Sequence, residues 1–185
     1  MGHGGDAIEE LTTDHREVDD FFEQIRKAPH GSHERRRLLD QLTIELVRHS
    51  VAEEQHLYPA VREHLPMGGT IADKELADHA DVEQMLKDLE GMDPEDPSFD
   101  PAVEKLQREV TAHIHDEETN LFVQLREVCG EDALQELGDK IRTAKKISPT
   151  RPHPSTPSTP PANRILDPGA GLVDRARDLV TGRGK

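Results

Sequence analysis

A histidine and a glutamate four residues apart lie on one face of a helix and can reach a common ion. The stretch His49-Ser-Val-Ala-Glu53-Glu-Gln-His56-Leu-Tyr58-Pro59 has that spacing, and His113 with Glu117 repeats it. Around the first pair the inward positions read Leu39, Leu42, Leu46, His49, Glu53, His56, Ala60, so an apolar seam turns ionisable for two turns and then returns to apolar. Unpaired Glu or His is costly to bury, and such groups are normally paired or bound to a metal. Two other helical patterns carry the same interruption, at His15 among Ile8, Leu11, Val18 and Phe22, and at His79 among Ala72, Leu76, Val82 and Leu86. One histidine on an apolar stripe is ordinarily a hydrogen-bonded core residue. Four helices each interrupted, two of them as His-x-x-x-Glu, point instead to one shared metal layer of His15, His49, Glu53, His56, His79, Glu83, His113 and Glu117. Imidazole and carboxylate without thiolate suit iron, manganese or zinc. The donors exceed what one tetrahedral ion uses, so two ions bridged by Glu53 and Glu117 are expected.

The elements that must position these groups follow from the 3.6-residue periodicity. It predicts helices over about residues 6–28, 34–65, 71–89 and 102–128, with Pro-, Gly- and Asp-rich connectors at 29–33 and 91–101. Four helices on short connectors give an all-α, up-down-up-down four-helix bundle. His15 lies about twelve residues, roughly 18 Å, before the end of its helix, and His49 about sixteen residues after the start of the next. One shared depth is therefore feasible. Pro59 inside the second pattern predicts a kink, or a helix restarting there. A short extra C-terminal helix over about 132–146, with Leu134, Leu137 and Ile141 on one face, completes a first unit over residues 1–147. Residues 148–163 read as an extended Pro/Ser/Thr-rich linker. Residues 164–185 read as a short amphipathic basic tail, with Leu172, Val173, Ala176, Leu179 and Val180 at helical spacing and Arg175, Arg177 and Arg183 interspersed. Such a tail suits docking to an unknown partner, to the acidic bundle or to an anionic surface.

Composition narrows the function classes. Aromatics are 3% and there is no Trp, which requires a narrow aliphatic core of the kind long amphipathic helices build. The net charge of −15 argues against nucleic acid as a partner. A single cysteine, Cys129, excludes an intrachain disulfide and a Cys-rich zinc or iron–sulfur site, and makes a cytoplasmic setting the expectation. No stretch approaches the roughly 20 apolar residues of a transmembrane segment, and the N-terminus lacks the apolar run of a signal peptide.

Thr-Asp-His15-Arg-Glu, His49-x-x-x-Glu53-Glu-x-x-Leu-Tyr-Pro, Asp-His79-x-x-x-Glu83 and His113-x-x-x-Glu117-Glu-x-x-Leu-Phe together resemble the haemerythrin-like proteins with the HHE cation-binding domain, over about residues 6–128. The resemblance implies a non-haem di-iron centre, two oxo- or hydroxo-bridged iron ions ligated by His15, His49, Glu53, His79, His113 and Glu117. It implies a small diatomic or peroxide ligand: oxygen, peroxide or nitric oxide. The oxygen-carrying members have a second histidine where this chain has Glu83, which argues against reversible carriage and for turnover, including catalase-like peroxide decomposition, with a non-enzymatic oxygen- or iron-binding or redox-sensing module as the alternative. His56, at Glu-x-x-His spacing, is a candidate replacement ligand, an outer hydrogen-bonding group or a core residue. Tyr58 is a candidate to approach the site from the kink.

Overall fold

The protein is described here by a computed structural model that covers residues 3–155 and 162–183. A reciprocal cap, in which the Asp6 side chain accepts from Glu9 N–H and the Glu9 side chain from Asp6 N–H, starts helix α1 (Ala7–Lys27). Ser32 caps α2 (His33–Ala52) through Arg35 N–H. One π-helical turn, Glu53–Leu57, joins α2 to α3 (Tyr58–His64), and the chain reverses into α4 (Gly68–Leu89). Helix α5 (Phe99–Asp116) likewise passes through a π-helical turn, Glu117–Leu121, into α6 (Phe122–Val128). Helices α7 (Glu131–Ile147) and α8 (Ala162–Thr181) follow. Among the described residues all regular structure is helical, as the periodicity requires, and no helix is long and apolar enough to cross a membrane.

The core is divided in two. One apolar cluster holds Phe22, Leu39, Leu42, Leu86, Phe99 and Leu106; the other holds Leu11, Leu57, Val61, Phe122, Leu125 and Leu134. The ionisable layer lies between them, so the positions where the seam turned polar in sequence become a polar slab inside the bundle. The helix does restart next to Pro59, which sits in the first turn of α3, where its missing N–H costs nothing. The same π-helical turn recurs before Phe122 without a proline. The turn therefore belongs to the glutamates, not to Pro59, and such turns concentrate at functional sites.

Helix α7 packs on α1 and α2. Its Gly138 allows this: a Cβ there would stand 2.9 Å from the Asp6 carbonyl carbon and 3.0 Å from Ala7 N. The buried face runs Leu134, Gly138, Ile141, Ala144, Lys145, ending in a charge.

The tail departs from the sequence reading. Residues 148–152 pack instead of running free: Ser148, Thr150 and Arg151 are buried. Asp174 of α8 accepts both the Thr150 and Arg151 N–H groups at 3.1 Å, and Arg151 pairs with Glu90 and Asp178. Helix α8 thus sits on the bundle by its polar face, and Leu172, Val173, Ala176 and Leu179 point outward. The dense Pro/Ser/Thr part of the predicted linker, 156–161, and the Val180 side chain lie outside the described residues.

Candidate metal centre

Positions 15, 49, 53 and 58 recur at one constant offset as 79, 113, 117 and 122, so the bundle carries His15/His79, His49/His113, Glu53/Glu117 and Tyr58/Phe122 as related pairs. Each Glu opens its π-helical turn, and its carbonyl accepts from the N–H five residues on, Tyr58 or Phe122. That extra residue per turn brings Tyr58 and Phe122 beside the histidines of the neighbouring helices. The Phe122 ring stacks on His15 at 5.7 Å between centroids, and Tyr58 Oη lies 2.9 Å from His79 Nε2 and donates to Glu117 Oε1 at 3.2 Å.

The structure brings His15, His49, Glu53, His79, His113 and Glu117 into one buried layer, with Glu53 and Glu117 fully enclosed. His49 Nε2 is 3.1 Å and His79 Nε2 3.4 Å from Glu53 Oε2; His15 Nε2 is 3.4 Å and His113 Nε2 3.6 Å from Glu117 Oε2. Two donors bound at about 2.1 Å to one ion stand about 3.0–3.5 Å apart, so this spacing suits shared ions. His15, His49, Glu53 and Glu117 form one convergent set, and Glu53, His79 and His113 a second, with Glu53 common to both. His15 Nε2, both Glu53 oxygens and Glu117 Oε2 are buried with no hydrogen bond. Buried polar atoms are almost always satisfied, so these atoms fit the ligation of a cation.

The outer nitrogens complete the pattern. His15 Nδ1 meets Glu118 at 2.8 Å, His49 Nδ1 meets Asp14 at 3.0 Å and His79 Nδ1 meets Glu54 at 3.1 Å, while His113 Nδ1 stands 3.0 Å from Glu75 outside hydrogen-bond geometry. A carboxylate on Nδ1 fixes the tautomer that leaves Nε2 free for a metal and makes it more basic. The sequence reading missed Asp14, Glu75 and Glu118 in this role. Asp14 and Glu118 each adjoin a ligand-type residue, which is the signal that could have found them; Glu75 gives none.

Without an ion the charges hold one another. Burial pulls the His79 pKa down, but the neighbouring Glu53 and Glu54 carboxylates outweigh it and push it up to about 10. His49 is raised well above its usual value: Glu53 and Asp14 overcome the same burial. Burial pushes Glu53 up, yet His49 and His79 hold it well below the carboxylate range. Burial and the surrounding carboxylates, Glu117 and Glu53 first, push Tyr58 well above 10, so its hydroxyl keeps its proton.

Two of the wider candidates fall elsewhere. His56 borders a groove with Pro59, His64, Cys129 and Lys140 and belongs to none of the convergent His and carboxylate sets among the described residues. Glu83, also outside both sets, accepts the His153 N–H of the tail at 2.8 Å. Against the imidazoles lies a cavity of about 20 Å³, walled by Val18, Leu46, Val82, Val110 and Ile114. One water-sized occupant needs roughly 10–15 Å³, so the cavity has room for about one small molecule.

A helical bundle with buried, carboxylate-backed histidines and glutamates between two apolar layers defines a metal-binding four-helix bundle. The family model described as "Hemerythrin HHE cation binding domain" matches residues 6–125, and the chain belongs to that family. It is 30% identical to an uncharacterised haemerythrin-like protein of Schizosaccharomyces pombe, over 90% of this chain and 82% of that one. A haemerythrin HHE cation-binding-domain protein of Mycobacterium kansasii matches with a TM-score of 0.68 and 27% identity, covering 76% of this chain and 85% of that one. A DNA nickase of Nostoc sp. is 26% identical over 73% of this chain, but the match covers only 38% of that protein.

Proposed function

We propose that this is a non-haem di-iron protein that binds and reacts with a small oxidant, oxygen or peroxide, with catalase-like peroxide decomposition as its turnover. The observation that carries the reading is the set of four histidines, each backed by a carboxylate on Nδ1 and facing Glu53 or Glu117 with Nε2. His15 and His49 would hold one iron, His79 and His113 the other, with Glu53 and Glu117 between them. When bound, the iron pair supplies redox electrons and open coordination positions. The chain's own residues do the rest. The apolar wall of the small cavity excludes water and larger molecules. Tyr58 presents a protonated hydroxyl among the ligating atoms, and its donor stabilises negative charge developing on a reduced ligand. Glu54, on the outer side of His79, is placed to carry protons between the site and the surface.

A second reading, sensing of oxygen or nitric oxide, is favoured by the Glu83–His153 bond, which ties α4 beside the site to the tail. The experiment is oxygen evolution from peroxide by the iron-loaded full chain. Sustained evolution, lost in Glu53→Ala, supports turnover. A single spectral change without evolution moves the reading to binding or sensing.

A further inference from the structure

The two related halves of the centre differ in what stands behind them. On the His113 side, Glu75 and Asp78 are met by Lys74, whose side chain is half exposed beside an open pocket of about 370 Å³ that reaches His113. Behind His15, Glu118 pairs with Arg16, whose side chain is likewise half exposed. On the His49 side, Asp14 is met by Lys145 of α7, with only 4% of its side chain exposed. Lys145 Nζ donates to Asp14 Oδ1 and, at 2.8 Å, to Glu10 Oε1, while Asp14 Oδ2 faces His49 Nδ1 at 3.0 Å. His3 Nε2 approaches Asp14 Oδ1 at 3.3 Å, and Arg142 approaches Glu10 at 3.6 Å.

Helix α7 lies outside the four-helix bundle, yet its packing delivers this one charge. Gly138 seats α7 against the start of α1, and Lys145, two turns later on the same face, ends at Asp14. Burying an ammonium is costly unless it is paired and hydrogen-bonded. Here two carboxylates pair it, and one of them orients a metal-type histidine.

We infer that Lys145 is a positioning residue that clamps Asp14 onto His49 and makes the His15/His49 position the tighter and less exchangeable of the two metal positions. This rests on the di-iron reading of the centre. An imidazole whose carboxylate is locked by a buried cation holds one orientation. On the other half Lys74, though paired with Glu75, Asp78 and Asp116, is half exposed to water, so the His79/His113 position is the one that loads and exchanges.

The test is anaerobic titration of the metal-free full chain with iron(II), together with the 15N signals of the four imidazoles in the metal-free state. The wild type is expected to bind in two steps. Lys145→Gln should weaken the tighter step by about 10-fold, the low end of the range for losing a ligand's own hydrogen-bond partner, and leave the weaker step unchanged. Lys145→Arg should restore the tighter step. Should Lys145→Gln fail to fold, the charge-balanced pair Glu10→Gln with Lys145→Gln takes its place, with the same expectation. The His49 imidazole signals should shift in these variants while those of His15, His79 and His113 stay. Unchanged steps, equal weakening of both, or an unmoved His49 signal would overturn the assignment. A wild type that binds no pair of ions would defeat the di-iron reading, and with it the ordering of the two positions. The imidazole signals would still decide whether Lys145 orients His49.

Discussion

Tyr58→Phe removes one hydroxyl, and the structure gives its effect opposite expectations for two roles. Tyr58 is 1% exposed, and its oxygen serves His79 Nε2 and Glu117 Oε1, atoms that also face the centre. Without metal, the variant leaves a charged buried acceptor and an imidazole short of a partner. A bond to a charged group contributes about 1.5–3 kcal/mol, so the metal-free variant should lose about 2–3 kcal/mol of stability. With metal bound, those atoms are satisfied by the ions and the loss should fall to about 1 kcal/mol. By linkage, the variant should then bind metal about 5–30-fold more tightly than the wild type. Urea unfolding with and without iron, and a metal titration, measure both numbers. A variant that binds metal more weakly would show that the phenol is itself a ligand and refute the reasoning. Equal destabilisation in both states would refute it as well.

Three other outcomes follow from the same geometry. His79, pushed up to about 10, and His49, also raised, are protonated in the metal-free protein at pH 7, whereas a metal needs them neutral. Binding should therefore release protons and weaken as pH falls, which calorimetry in buffers of different ionisation enthalpy would detect. Gly138→Val should force α7 off the Asp6–Ala7 backbone and cost about 1–3 kcal/mol in chemical denaturation. Burial raises Glu90, but Lys87 and Arg151 outweigh it and hold it below its usual 4.5. Its contribution to holding the 148–152 segment is present above about pH 4.5 and lost as pH falls through the lower folded value. Hydrogen-exchange protection of the Arg151 amide, corrected for intrinsic rate, should drop there and not between pH 6 and 8.

The bundle was legible because its signal is local: stripes of Leu, Val and Ile at helical spacing, broken at one depth by His and Glu. The ionisable layer was legible for the same reason, since His49 and Glu53 declare a common face by spacing alone. His56 misleads because spacing assumes an unbroken α-helix. The π-helical turn Glu53–Leu57 changes the register just there and turns Tyr58 inward, with His56 left at a groove. Lys145 was hidden for a different reason. It continues the face of Leu134 and Ile141, but its partners Glu10 and Asp14 are more than a hundred residues away in sequence. The acidic bundle was among the docking sites expected for the tail, but the face it uses was not legible, because Asp174 and Asp178 find Thr150 and Arg151 and leave the apolar stripe outward.

The most direct measurement is the metal content of the full chain purified from iron-supplied cells, for the wild type and for Glu53→Ala and Glu117→Ala. The account predicts about two irons per chain in the wild type, the near-ultraviolet absorption of a coupled ferric pair, and loss of the pair in both variants. Zinc or no metal in the wild type, or two irons retained by both variants, would contradict it.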